Sequence, residues 1–245
     1  MEPKTLTTHL AEQYALLRDA LASADPSVRV PACPDWTVAD LEEHVTAVYL
    51  HKVTAMRLGA MPKPWPPAEG VGSLDDAWTA LLAELTTRSS EETTPTWFEP
   101  DQTVGFWVRR MAQETAIHRV DAEGGAGREI TPMAPELAVD GIGEVLGWVV
   151  YGSVEWHEEF ADALAKADGR PLLLSAGAVG WLITMTPERV VLTETGPEPV
   201  EAAVTVAGDA DAICRWLWSR DGDVTITGDE SLVARLRAVL APVMR

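Results

Sequence analysis

Trp107, Met111, Glu114, His118 and Asp121 follow one another at steps of four, three, four and three, the spacing of one stripe on an α-helix. Trp107 and Met111 mark that stripe as inward-facing, so Glu114 and His118 are ionisable neighbours on a buried face. His44 stands three residues after Leu41 and four before Val48, on the apolar face of a second helical pattern. Burying two imidazoles and a carboxylate unpaired would cost several kcal/mol. A divalent metal offsets that cost, because neutral imidazoles and a carboxylate are what catalytic zinc takes when one position stays open. Helix-bundle cores host metals in this way. The same residues also read as an i, i+4 ion pair beside a satisfied core histidine, since periodicity alone does not bring the two helices together.

Other residues carry weaker signals. His51 follows His44 by seven, so it either supports the same site or is a surface or core histidine nearer the helix end. Asp121, one turn after His118, either accepts the imidazole's second N–H or merely charges the helix end. Cys33 precedes a proline in a turn and reads as a packed small residue, while Cys214 reads as core. His9 and His157 lie among polar residues and are assigned no role. Arg220 ends an aromatic run, Trp216-Leu-Trp218-Ser, at a helix end where a cation suits the dipole.

The elements that must hold these residues are mostly helices. Leu10, Tyr14, Leu17 and Leu21 mark a helix from about Leu6 to Ala24, after which Pro26, Pro31 and Pro34 break the chain. Thr37-Val-Ala-Asp40 has the spacing of a capping box and opens the helix carrying His44. Met61 to Pro67 is proline-rich and reads as an extended loop. Ser73 caps a third helix, Thr103 a fourth that ends at Gly124-Gly125, and Ala134-Pro135 opens a fifth. The acidic stretch Glu155 to Arg170 can be helical. After about Gly169 the pattern changes to short β-rich runs at 172–174, 180–185, 190–193, 200–206 and 224–227, with helices at 209–218 and 231–240. The expected architecture is a helical domain over residues 1–160 followed by a small α+β domain over 166–245.

Composition sets the outer limits. The 245 residues are 47% hydrophobic and 23% charged, which places the chain among globular proteins. Acidic residues number 38 against 19 basic, a net charge of −19 that disfavours nucleic acid and anionic membrane as partners. Two cysteines make no disulfide framework. The N-terminus has no apolar signal core and no run reaches eighteen apolar residues, so the expectation is a cytoplasmic protein, monomer or homodimer. Ten Trp against three Phe and three Tyr suit helix junctions or a lined pocket.

Several segments together resemble one family. Pro31 to His44 (PACPDWTVADLEEH) is similar to the second-helix entry of the mycothiol-dependent maleylpyruvate isomerases, within the DinB-like four-helix superfamily, with Asp35 where glycine is usual. Glu114-Thr-Ala-Ile-His118-Arg-Val-Asp121 resembles the family's second metal segment, and Asp140 to Glu144 its last bundle helix. Gly208 to Arg220 and Thr227-Gly-Asp229 resemble its C-terminal domain. The resemblance implies a DinB-like four-helix bundle followed by an α+β domain. It implies a zinc ion, or another divalent metal, on His44, Glu114 and His118. It further implies mycothiol as cosubstrate, bound as a metal-stabilised thiolate that adds to an anionic electrophile. Either cis-trans isomerisation of a maleylpyruvate-like acid or S-transfer would follow. Arg220 matches an arginine implicated in that family's catalysis, with Ser219 where glycine is common, and would clamp the substrate carboxylate. Two alternatives remain open: a hydrolase or other transferase using metal-bound hydroxide on the same bundle, and a non-catalytic zinc or ligand-binding module closed by a fourth ligand such as His51 or Cys33.

Overall fold

A computed structural model describes residues 1–63 and 72–244. Most of the expected loop at 61–67 lies outside the described residues. The chain divides into two compact units, Met1–Thr131 and Pro132–Arg245.

The first unit holds α1 (Pro3–Ser23), α2 (Val38–Leu58), α3 (Leu74–Thr87) and α4 (Val104–Gly125), with a small hairpin of β1 (Arg29–Val30) and β2 (Cys33–Thr37) before α2. Helix starts fall where their side chains dictate. Thr37 forms the expected box with Asp40: the threonine hydroxyl accepts from the Asp40 amide, and the Asp40 carboxylate accepts from the Thr37 amide at 2.7 Å. Ser73 and Thr103 accept from the amides of Asp76 and Phe106 in the same way. α2 ends at Gly59, whose φ of 64° lets its N–H return to the Ala55 carbonyl. α1 packs along α4, and α2 packs on both α3 and α4. Leu10, Leu17, Leu41, Leu81 and Trp107 are fully buried, each aliphatic side chain contributing about 2 kcal/mol. At the far end of α4, a Cβ on Gly125 would stand 2.8 Å from Val38 Cγ2, so glycine there permits close approach to the start of α2.

The second unit comprises α5 (Pro135–Glu155), α6 (His157–Leu164), β3 (Pro171–Ala176), β4 (Val179–Met185), β5 (Val190–Thr195), β6 (Val204–Ala207), α7 (Ala210–Leu217), β7 (Thr225–Gly228) and α8 (Glu230–Leu240). Its five strands run in the order β5-β4-β3-β6-β7, with β3 and β6 parallel and every other pair antiparallel. Leu172 and Leu174 alternate inward and register against Ile183 and Trp181 on one side, Val204 and Val206 on the other. The change of pattern near Gly169 marks where strands begin, whereas the compact unit begins at Pro132. α5 buries its apolar side against α7 and β5, and the Ser153 hydroxyl accepts from the Val190 amide at 3.0 Å. α5 is also long and apolar enough to cross a membrane by composition, with a mean hydropathy of 1.3, but most of it is buried in protein. A helical bundle followed by an α+β unit is thus the architecture of the chain.

Candidate metal centre

α2 and α4 bring His44, Glu114 and His118 together. The contact is pinned by Tyr49 on α2, whose hydroxyl shares a buried 2.6 Å hydrogen bond with Thr115, next to Glu114. Glu114 Oε1 lies 3.4 Å from His44 Nε2 and 3.2 Å from His118 Nε2. One ligand atom from each of the three residues falls within 4.8 Å of the other two. Zinc bonds of about 2.0–2.1 Å in a tetrahedral arrangement set neighbouring ligand atoms roughly 3.3 Å apart, so the donor set and its spacing fit such an ion. The site opens toward His44, whose side chain is 28% exposed against 18% for Glu114 and 9% for His118.

Each buried group is held by a neighbour. His118 Nδ1 lies 2.9 Å from Asp121 Oδ2, which leaves Nε2 as the ring atom facing Glu114. Asp121 is therefore the carboxylate partner of this imidazole rather than a helix-end charge. Arg110, one turn before Glu114, donates from Nη2 to Glu114 Oε2 at 3.1 Å. Trp36 of β2 flanks both imidazoles, its ring centre 4.6 Å from that of His44 and 6.2 Å from that of His118.

The charges reinforce one another. Burial opposes ionisation of Glu114, but His118, His44 and Arg110 outweigh it and hold the carboxyl well below its usual range. Burial likewise opposes a proton on His118, yet Glu114 and Asp121 prevail and raise its pKa to about 9.

The remaining sequence candidates fall elsewhere. His51 is buried on α2 with Nδ1 3.2 Å from Lys52 Nζ, and burial together with that lysine lowers its pKa to about 4. Cys33 Sγ sits 4.0 Å from Asp121 Oδ2. Among the described residues neither joins the three-residue cluster, so no fourth protein ligand closes it. Cys214 is buried within α7 as expected. His9 pairs with Glu12 at 3.2 Å and is buried despite its polar surroundings in sequence, while His157 lies 3.0 Å from the Ser153 carbonyl at the start of α6. Arg220 belongs to the second unit, just beyond α7, where Nη1 donates to the Trp218 carbonyl at 2.7 Å. Ser219 before it has φ 60°, a left-handed conformation that glycine adopts freely and a serine rarely does. Arg110 and Trp36 escaped the sequence reading. Arg110 carried a signal in its i, i+4 spacing to Glu114, whereas Trp36 lay inside the Pro31–His44 segment that carried the family resemblance but was given no role of its own.

A helical unit with a three-ligand cluster, followed by a five-stranded α+β unit, defines the class. Residues 7–123 match the family model of the mycothiol maleylpyruvate isomerase N-terminal domain, a span that holds all three cluster residues. Residues 7–123 thus carry a domain of the mycothiol maleylpyruvate isomerase N-terminal type. The fold of the chain is similar to the crystal structure of the mycothiol-dependent maleylpyruvate isomerase, with a TM-score of 0.61, 15% identity and 93% of each chain covered. A histidine-to-alanine mutant of that enzyme aligns equally widely, 93% of both chains, at a TM-score of 0.59 and 14% identity. Among curated proteins none matches the chain in sequence.

Proposed function

We propose that this protein is a zinc-dependent enzyme that uses mycothiol as cosubstrate and adds its sulfur to an anionic, electrophilic acid. The observation that carries the reading is the cluster of His44, Glu114 and His118, whose ligand atoms lie within 4.8 Å of one another inside the matched domain. These three residues would hold the ion. When bound, it supplies a Lewis-acidic charge that makes a thiol offered to the open position acidic enough to react near neutral pH.

The chain's own side chains do the rest. Asp121 fixes the His118 ring by accepting at Nδ1. Trp36 forms an aromatic wall against both imidazoles. Arg220 is assigned to the substrate carboxylate, for which its planar fork is suited. The reaction is isomerisation of a maleylpyruvate-like acid, in which the sulfur leaves again, or S-transfer, in which it stays. A cytoplasmic monomer or homodimer acting on small molecules completes this reading.

The test is metal analysis of purified protein combined with turnover assays with and without mycothiol. About one zinc per chain and turnover only with the thiol are expected. Arg220→Ala should retain metal and thiol binding but lose turnover, and Arg220→Lys should recover little of it. Turnover that needs metal but no thiol would replace this reading with a hydrolytic one.

A further inference from the structure

Glu114 divides its two oxygens between different partners. Oε1 faces the imidazoles, 3.2 Å from His118 Nε2 and 3.4 Å from His44 Nε2, whereas Oε2 accepts from Arg110 Nη2 at 3.1 Å. Arg110 is itself buried, only 4% exposed. A carboxylate can bind a metal through one oxygen or through both. Turning Oε2 inward would separate it from a guanidinium in a buried setting, where a broken ion pair is strongly unfavourable.

From this division of labour we infer that Arg110 is a positioning residue that holds Glu114 as a one-oxygen ligand. His44, Glu114 and His118 would then supply one donor atom each beside an external molecule, and Oε2 is kept from adding a further donor to that set. Asp121 does the corresponding service for His118, claiming Nδ1 and leaving Nε2. The inference rests on the metal-site reading and adds a cause for its openness: a charged neighbour on the carboxylate's outer oxygen. Of Arg110, Glu114, His118 and Asp121 on α4, two are thereby ligands and two govern how those ligands bind.

The experiment compares cobalt(II)-loaded wild type, Arg110→Met and Arg110→Lys by visible absorption, with cobalt content and far-UV circular dichroism measured in parallel. Coordination geometry is what the spectrum reads. Wild type should show the intense bands of a four-coordinate ion. Arg110→Met should bind one cobalt with bands several-fold weaker, as Glu114 closes with both oxygens and the ion becomes five-coordinate. Arg110→Lys keeps a cationic donor and should recover most of the intensity, a rescue that a purely structural role would not produce. Should Arg110→Met fail to fold, Arg110→Gln is read in its place, with the same weakening expected. A fully loaded, folded Arg110→Met or Arg110→Gln protein with the wild-type spectrum overturns the inference. Wild type that takes up no cobalt overturns the metal-site reading itself, a result distinct from equal spectra.

Discussion

Two carboxylates on α4, Glu114 and Glu123, are both shielded from solvent and both paired with an arginine four residues earlier, yet they are wired differently. Glu123 Oε2 accepts from Arg119 Nη1 at 2.7 Å and from the Thr131 amide at 2.9 Å, while Oε1 accepts from the Thr131 hydroxyl at 2.7 Å. Arg119 in turn donates to Gln13 of α1 at 3.0 Å and to the Thr131 carbonyl. Every oxygen of Glu123 is claimed by a group that cannot release it by losing a proton near neutral pH. Glu114 Oε1, by contrast, faces two imidazoles, groups that shed a proton and then offer lone pairs. Burial and i, i+4 pairing are common to both sites. Only Glu114 has spare coordinating capacity, which separates a clamp from a candidate ligand set.

The comparison breaks most sharply through stability. Glu123→Gln leaves Arg119 as a buried cation without its counter-charge, and should cost about 3–5 kcal/mol in denaturant unfolding. Its metal content should remain that of wild type. If that variant also loses metal, the two networks are one unit and the distinction fails.

The next largest effect lies at the other carboxylate's partner. His44→Ala removes the most exposed ligand candidate, and metal affinity should fall by more than the roughly 100-fold that marks the upper range for supporting residues. Thermal stability of the metal-free protein should change little, because this side chain is 28% exposed. Competition against a chromophoric chelator measures the first quantity and circular dichroism the second. Asp121→Asn should fall between these cases, with metal affinity lowered by about 10- to 100-fold while the ligand triad is intact. An unchanged affinity would return Asp121 to the role of a helix charge.

How much of this was legible in the sequence depends on how local the cause is. The starts of α2, α3 and α4 were readable because Thr37, Ser73 and Thr103 act on amides a few residues away. The inward stripe of α4 was readable for the same reason. The hairpin of β1 and β2 was not, because Pro31 and Pro34 mask it and its two strands pair only with each other. Nor was the meeting of α2 with α4, which depends on pairs such as Tyr49 and Thr115, 66 residues apart. The packing of α5 was not readable either, since it has a helical pattern yet packs on β5 as well as on α7. The candidate ligand set required both the stripe and the meeting, so spacing could nominate His44, Glu114 and His118 but could not join them.

The last predicted effect is graded rather than all-or-none, and it corrects an expectation drawn from isolated side chains. An unperturbed imidazole, with a pKa near about 6.5, would leave metal uptake nearly independent of pH above neutrality. Here Glu114 and Asp121 outweigh burial and raise His118 to about 9, so its proton must leave when a metal binds. Since the proton occupies the metal-free form and not the loaded one, raising the pH favours loading. Affinity should climb by about tenfold per pH unit from neutrality and level off above the His118 pKa. The stability of the metal-free protein runs the other way. A folded-state pKa above the unfolded value contributes stability that is complete below the unfolded pKa and is lost as pH rises through about 9. Chelated protein should therefore become less stable over the range in which it binds metal more tightly. Asp121→Asn removes one of the two carboxylates that hold the proton, and should move both curves toward lower pH. The Arg119–Glu123 network contains no imidazole, so Glu123→Gln should leave the affinity profile in place. Affinity that stays flat from neutrality to alkaline pH would mean that His118 is already neutral, and that Glu114 is balanced by Arg110 alone.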